Sequence, residues 1–345
     1  MMANIIVCAD GTWNRPEEDL EKDHATNVLK VARAIRPKVG DLKQHVFYDW
    51  GLGSYHAAIS AGATGRGIEK NIVDGYRYIV QNYAPGDDIY LFGFSRGAYT
   101  VRALCGLINN CGIVKRADAK LIQRAWEIYK NTGKLYKPNG AEAVKFRKQH
   151  SHNSRKVHFV GVWDTVGSLG IPFSLLGLFD RKDEFYDTQM GSNVSFARHA
   201  LAIDERRVDF QPTLWEPNDG VDLKQVWFSG VHTDVGGSYA PDKITKAVAS
   251  DIPLEWMLNE AKAAGLKLEP FITQRLTDGL KAPLHKSRRH IYRLRKAINR
   301  ELLHDDYPTA FHHSVKARYE QDSDYRPKKL EALIDSVGWD GVDLV

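Results

Sequence analysis

One five-residue pattern constrains the fold of this chain more than any other feature. Gly93-Phe94-Ser95-Arg96-Gly97 matches G-x-S-x-G. Residues 87–92 (DDIYLF) before it are predicted to be a strand, and residues 97–108 after it are predicted to be a helix. A serine on so sharp a strand-to-helix turn needs flanking glycines, because strand and helix approach closely there. The pattern predicts a sheet with a helix packed directly against it.

Short apolar segments alternate with helical ones along the first 250 residues. The predicted strands are 5–9, 45–48, 87–92, 157–162 and 225–228, and a helix is predicted over 67–83. This alternation is typical of a parallel sheet covered by helices on both faces. We therefore predict an α/β fold with a mostly parallel sheet.

The same patterns divide the chain into regions. Residues 1–250 are predicted to form a catalytic core, within which 114–155 are a polar helical insertion and 168–200 a candidate lid containing the apolar run 171–179. Residues 251–345 are predicted to be a helical extension packed on the core. Within it, the segment 281–300 holds eight basic residues and no acidic one, and carries an apolar stripe at helical spacing: Ile291, Leu294, Ala297 and Ile298.

Three residues at predicted strand ends have the order of a catalytic triad. Functional side chains in parallel sheets collect beyond the carboxyl ends of the strands. Ser95, Asp164 and His232 each follow such a strand, and about 70 residues separate one from the next, which leaves room for a crossover helix. His232 would take the proton of Ser95, while Asp164 would orient the imidazole.

Other acids and one other histidine compete for these roles. Asp204 is a rival acid, although an ion pair at a helix end explains it equally well. Asp234 is only two residues from His232, so it is better placed to brace that loop. His199 is the rival base, with a helix-surface position favoured for it.

The loop after the first strand is a second source of catalytic groups. The backbone N–H of Arg96 is predicted to stabilise the oxyanion, and Gly11 or Thr12 to supply the second donor. Asp10 resembles a phosphoryl-accepting aspartate, but such enzymes carry an acid two residues on, where this chain has Thr12. No metal or cofactor is predicted. The carboxylates of Asp10, Asp204 and Asp234 are left as weak candidates for a divalent ion at one pocket rim.

Composition excludes several classes of protein. The 48 Lys and Arg against 43 Asp and Glu give a net charge of +5, which is too weak to predict nucleic-acid binding. The three cysteines have neither disulfide nor metal-site spacing. No apolar run approaches the roughly 20 residues of a membrane span, and no basic region precedes the first apolar run as in a signal peptide. A cytoplasmic location is expected, and signal-independent secretion stays open.

Six ordered motifs resemble a bacterial α/β-hydrolase domain whose best understood relatives are phospholipase effectors of the type VI secretion system. They lie at 10–14 (DGTWN), 93–102 (GFSRGAYTVR), 162–170 (VWDTVGSLG), 200–207 (ALAIDERR), 227–239 (WFSGVHTDVGGSY) and 312–319 (HHSVKARY). The resemblance spans nearly the whole chain. It implies an α/β-hydrolase-like fold, hydrolysis of a carboxylic ester and Ser95, Asp164 and His232 as the triad.

Together these observations predict a cofactor-free serine esterase or lipase that acts on a small-molecule or lipid ester through an acyl-enzyme. By resemblance, phospholipid is the substrate to test first. The basic segment 281–300 is a candidate for peripheral contact with anionic lipid. The alternative is a non-catalytic binding or scaffold protein that keeps the hydrolase fold and uses this basic face. Acyl-chain preference and oligomeric state do not follow from the sequence.

Overall fold

The computed structural model describes residues 2–11, 16–17, 19, 23–51, 65–166, 190–288, 296–304 and 307–345. Within these ranges the strands form one eight-stranded sheet in the order β2-β3-β1-β4-β5-β6-β7-β8. Neighbouring strands are parallel except for β2 and β3. The strands are β1 (Ala3–Ala9), β2 (Lys38–Val39), β3 (Leu42–Asp49), β4 (Asp88–Phe94), β5 (Val157–Trp163), β6 (Val194–Ala202), β7 (Asp222–Phe228) and β8 (Ala310–Phe311).

Helices cover both faces of this sheet, so the fold is α/β-hydrolase-like, as the sequence predicts. The helices are α1 (Asn27–Ala34), α2 (Gly65–Asn82), α3 (Arg96–Cys111), α4 (Ala119–Lys130), α5 (Ala141–His150), α6 (His232–Gly236), α7 (Asp251–Ala263), α8 (Phe271–Gln274), α9 (His313–Gln321) and α10 (Lys328–Val337). Among the helices described here, none is long and apolar enough to cross a bilayer.

The first strand shows why the apolar runs are continuous rather than alternating. Ile5 and Val7 of β1 face the core on the side of α2 and α3, whereas Ile6 and Cys8 face the core on the side of α1 and α7. Because both faces are buried, the run Ile5 to Ala9 is apolar at successive positions. Each fully buried aliphatic side chain stabilises the fold by about 1.5–3 kcal/mol.

The insertion at 114–155 belongs to the first of these cores. Trp126 of α4 and Phe146 of α5 are buried in it, beside α3. The three cysteines are buried free thiols, and burial raises the pKa of each one.

The C-terminal residues close the far edge of the sheet. They were expected to be helical, yet β8 lies among them and pairs with β7. A third apolar cluster forms there around Trp227, Phe311, Val315 and Leu330. The Trp227 indole N–H donates to the carbonyl of Leu302 at 3.0 Å.

Two sequence-based predictions need correction here. Residues 194–200 of the candidate lid belong to the buried strand β6, which the sequence does not reveal because Arg198 and His199 are polar. Arg198 is tolerated in the sheet because Asp222 and Glu260 pair with it. The apolar run 171–179 lies outside the described residues.

The helical stripe predicted for 281–300 is also wrong where it is described. Ala297 forms a β-bridge with Arg207, and the N–H of Ile298 donates to the carbonyl of Arg206 at 3.0 Å. These contacts make residues 296–300 an extended strap against the segment that follows β6. Ile291 and Leu294 lie outside the described residues.

Candidate active site

The predicted nucleophile lies on a strained turn between β4 and α3. Ser95 has φ 57° and ψ −120°, a conformation that L-residues rarely adopt. The flanking glycines make the turn possible: a Cβ on Gly93 would lie 2.5 Å from the carbonyl oxygen of Gly97, and one on Gly97 would lie 2.0 Å from that of Ala9. Both are shorter than any real Cβ contact, so the elbow needs glycine at both positions.

The predicted acid, Asp164, directly follows β5 and is completely buried. It too has a positive φ, 41°. Its carboxylate meets four donors: Oδ1 accepts from the N–H of Ala202 at 3.0 Å and from Nη1 of Arg300 at 2.6 Å, and Oδ2 lies 3.0 Å from Nη2 of Arg300 and 2.6 Å from Nδ1 of His232. Four donors fill the lone-pair directions of a carboxylate.

These contacts fix the charge of Asp164. Burial by itself raises the pKa of the carboxyl, but the Arg300 guanidinium and the His232 imidazole outweigh it and hold the pKa well below its ordinary value. Asp164 is therefore ionised throughout the neutral range.

The predicted base, His232, is the first residue of the short helix α6 after β7. Because an ionised carboxylate can only accept, the proton between the two residues belongs to Nδ1, and Nε2 keeps its lone pair. Burial lowers the pKa of His232, partly offset by Asp164. The imidazole is thus neutral, in the tautomer that a general base requires.

Two aromatic rings and an ion pair hold this imidazole in place. The ring of Phe94 lies 4.6 Å from that of His232, centroid to centroid, and the ring of Phe210 packs edge-on at 5.0 Å. Glu205 accepts the backbone N–H of His232 at 3.3 Å and pairs with Arg207, whose guanidinium covers Phe210. The segment 205–210 therefore forms a bracket over the imidazole.

The same contacts bring the elbow to the acid–base pair. The N–H of Ser95 donates to the carbonyl of Trp163, the residue before Asp164, at 3.2 Å. Phe94, the residue before Ser95, touches the His232 ring and leaves no room for a Cβ on Gly236 of α6. The three predicted residues thus lie together at the carboxyl ends of β4, β5 and β7.

Arg300 and Glu205 belong to this site, although the sequence does not predict a role there for either one. Arg300 is the less obvious of the two. It appears in the sequence as one of eight basic residues in 281–300, a run that suggests a solvated face. In the structure it is fully buried and grips both oxygens of Asp164. No local pattern distinguishes it from its neighbours, since its partner is 136 positions away.

The oxyanion candidates have different surroundings. Arg96 begins α3, whose N-terminal turn concentrates partial positive charge. The N–H of Gly11 donates to Oδ1 of Asp10 at 2.8 Å. Asp10 also accepts from the hydroxyls of Thr26 and Tyr48, so it fixes the first loop. Thr12 lies outside the described residues.

The rival acids have structural partners. Oδ2 of Asp204 accepts from the N–H of Gly230 at 2.6 Å and from the Tyr325 hydroxyl at 3.1 Å, rather than forming an ion pair at a helix end. Burial raises the pKa of Asp204 to about 7. Asp234 accepts from the N–H of Val231 and lies 2.6 Å from Nδ1 of His285, so it braces the loop as predicted.

The rival base is not on a helix surface. His199 is buried in β6, and its Nε2 accepts the N–H of Thr165 at 3.1 Å. Burial, together with the charge of Arg102, lowers its pKa to about 3. Among the described residues, no group of three or more His, Cys, Asp or Glu side chains could hold a metal ion. The three weak candidates for a divalent ion therefore do not form a site within that part of the chain.

Fold and site together place the chain in the α/β-hydrolase-like class. Residues 3–260 match the family model described as T6SS, Phospholipase effector Tle1-like, catalytic domain. The chain belongs to this family.

The chain is also similar to individual proteins. Uncharacterized protein YEL023C of Saccharomyces cerevisiae is 30% identical over 62% of this chain, which spans only about a third (33%) of that relative. A crystal structure of an uncharacterized protein from Pseudomonas aeruginosa is 16% identical, with a TM-score of 0.49 over 80% of this chain and 48% of that one. The Tle1 effector bound to the VgrG spike is 17% identical, with a TM-score of 0.40 over 71% of this chain and 53% of that one.

Proposed function

We propose that this chain is a serine hydrolase that cleaves carboxylic esters, with the acyl esters of phospholipids as its substrate class. The observation that carries the proposal is the buried Asp164–His232 pair, 2.6 Å apart, beside a serine on a glycine-flanked turn. Membership of the Tle1-like phospholipase family supports the choice of lipid.

The reaction follows from the protonation states of the site. The Ser95 hydroxyl attacks the ester carbonyl and gives its proton to Nε2 of His232. The resulting imidazolium is stabilised by the ionised carboxylate of Asp164. When the tetrahedral intermediate collapses, His232 returns the proton to the leaving alcohol and Ser95 carries the acyl group. Water then attacks this acyl-enzyme, again with His232 as the base, and the free acid leaves.

The oxyanion develops beside the N-terminus of α3. We assign the first donor to the backbone N–H of Arg96, where the helix dipole favours negative charge. Gly11 and Thr12 stay the predicted sources of the second donor. Since the N–H of Gly11 is bonded to Asp10, its participation requires that this bond be released.

A peripheral lipid contact is part of the proposal. Lys281, Lys286 and Lys296 of the basic segment are exposed. Exposed lysines attract an anionic membrane surface by about 1 kcal/mol each near the surface. Binding to anionic vesicles that weakens with added salt, while binding to neutral vesicles stays weak, would support this contact.

Hydrolysis by purified variants tests the proposal. Wild type, Ser95→Ala and Ser250→Ala are compared on short-chain esters and on phosphatidylglycerol vesicles. Ser250 is a matched control because it is buried and its hydroxyl has no partner among the described residues. We expect Ser95→Ala to lose at least about 10⁴-fold in kcat and Ser250→Ala to keep wild-type activity. If Ser95→Ala stays active, Ser95 is not the nucleophile and the proposed mechanism fails. If wild type cleaves no ester, a binding role replaces the proposed one.

A further inference from the structure

Arg300 makes a two-pronged ion pair with the same carboxylate that contacts the His232 imidazole. Its Nη1 and Nη2 each approach one oxygen of Asp164, at 2.6 and 3.0 Å, so the guanidinium and the carboxylate meet as two parallel forks. Nη1 also donates to the carbonyl of Ala202 at 2.6 Å, and Nη2 donates to that of Phe210. The two carbonyls hold the guanidinium in place before any substrate arrives.

We propose that Arg300 is a positioning residue of the catalytic pair, which holds the Asp164 carboxylate in the orientation and charge state that His232 requires. The inference rests on the proposed function. It also makes the C-terminal strap part of the catalytic apparatus, although the family match ends at residue 260.

The strap is anchored in the right place for this task. The Arg207–Ala297 bridge and the hydrogen bond from Ile298 to Arg206 tie residues 296–300 to the segment that also brackets His232. The Arg300 side chain contacts the carbonyl of Phe210 in that segment and reaches Asp164. One short segment therefore contacts both the bracket around the imidazole and the carboxylate of Asp164.

The electrostatics assign a direction to the effect of removing Arg300. Three sets of charged groups surround the His232 imidazole. The carboxylate of Asp164, after β5, contacts its Nδ1, and Glu205 and Arg207 lie in the bracket. Arg300 pairs with the Asp164 carboxylate. Without the guanidinium, the charge of Asp164 is no longer compensated, so it favours the imidazolium more strongly. The carboxyl itself also protonates more easily, because burial then dominates its pKa. Both effects move the acid limb of activity to higher pH.

Two substitutions separate charge from geometry. Arg300→Gln removes the charge, whereas Arg300→Lys keeps it and removes the fork. Arg198→Lys is the matched control. Arg198 lies on β6, outside the candidate active site, and is also a buried arginine that pairs with carboxylates, those of Asp222 and Glu260. The kcat/KM of a soluble short-chain ester is measured for each variant from pH 4.5 to 9. Circular dichroism confirms that each variant is folded.

We expect Arg300→Gln to move the acid limb up by about one pH unit. Arg300→Lys should keep the wild-type limb and lose about tenfold in kcat, with KM nearly unchanged. Arg198→Lys should change neither the acid limb nor kcat, even if it changes the stability of the protein. If Arg300→Gln does not fold, the tenfold loss in kcat of Arg300→Lys decides alone, and an undiminished kcat overturns the inference.

The same experiment distinguishes a failure of this inference from a failure of the proposed hydrolase function. Each protein is also treated with a fluorophosphonate, which labels an activated serine without a known substrate. Wild type that neither labels nor hydrolyses contradicts the proposed function and the inference together. Wild type that labels at Ser95, with Arg300 variants that match it in kcat and in pH profile, contradicts the inference alone.

Discussion

The two halves of the candidate active site are built in different ways. The nucleophile half is local: β4, the turn at Ser95 and α3 are consecutive in the chain, and the two glycines that permit the turn lie within two residues of the serine. The acid–base half is assembled from four distant segments, which carry Asp164, Glu205, His232 and Arg300.

This difference has an energetic consequence. The nucleophile half keeps Ser95 in a sparsely populated backbone conformation and depends on close packing of backbone atoms. The acid–base half buries charge and depends on every partner being present, since an unpaired buried charge is strongly destabilising. Damage to the first half should therefore reduce activity more than stability, whereas damage to the second should reduce both.

The largest effect is expected from a substitution that removes the carboxylate of the acid–base half. Asp164→Ala leaves the buried guanidinium of Arg300 without its carboxylate, so we expect a loss of about 3–5 kcal/mol in the free energy of unfolding. Activity should fall by about 10⁴-fold. Ser95→Ala should lose a similar amount of activity, but its free energy of unfolding should fall by no more than about 1 kcal/mol. Urea unfolding followed by tryptophan fluorescence measures both, and equal stability losses would contradict the contrast.

A glycine substitution breaks the nucleophile half. Gly97→Ala places a Cβ 2.0 Å from the carbonyl oxygen of Ala9, so the elbow must shift, and we expect activity to fall by about 10²-fold or more. Gly75→Ala is the control, because its Cβ would meet Leu104 at 3.4 Å in ordinary contact. That helical substitution should keep activity and add up to about 1 kcal/mol of stability. Ester hydrolysis and thermal unfolding report the outcome, and similar effects at both glycines would contradict this account of the elbow.

These contrasts match what could be predicted from the sequence. Strand, turn and helix around Ser95 are local, so the motif and its apolar flanks predict them. Asp164 and His232 could be predicted because each lies shortly after the end of a strand. Arg300 and Glu205 could not, since their roles depend on partners from other segments. The strand β6 could not be predicted for the same reason. Arg198 and His199 are polar, and only their partners in the fold show that both can be buried in a strand.

A smaller effect concerns the pH dependence of the base. Burial places the pKa of His232 below 6.5, and the charge of Glu205 raises it while that of Arg207 lowers it. Glu205→Gln removes the raising influence, so the acid limb of kcat/KM should move to lower pH, by less than about one unit. This is the opposite direction to Arg300→Gln. A pH–rate profile of Glu205→Gln with the limb at higher pH would contradict the assigned electrostatics.

The smallest effect concerns an acid that we place outside the catalytic machinery. Burial raises the pKa of Asp204 to about 7, so its contribution to stability is complete below its unfolded pKa near 4 and is lost as pH rises through about 7. Asp204→Asn removes the titration. The variant should be more stable than wild type at pH 8, equal to it near pH 4, and fully active. Thermal unfolding at both pH values tests this, and loss of activity would place Asp204 in the site.

The central claim is that Ser95 is an activated nucleophile. Intact-mass analysis after fluorophosphonate treatment of wild type, Ser95→Ala and His232→Ala tests it most directly. We predict one adduct on wild type, mapped to Ser95 by peptide sequencing, none on Ser95→Ala, and labelling at least about 10²-fold slower on His232→Ala. An adduct that persists on Ser95→Ala, or no adduct on folded wild type, would contradict the account.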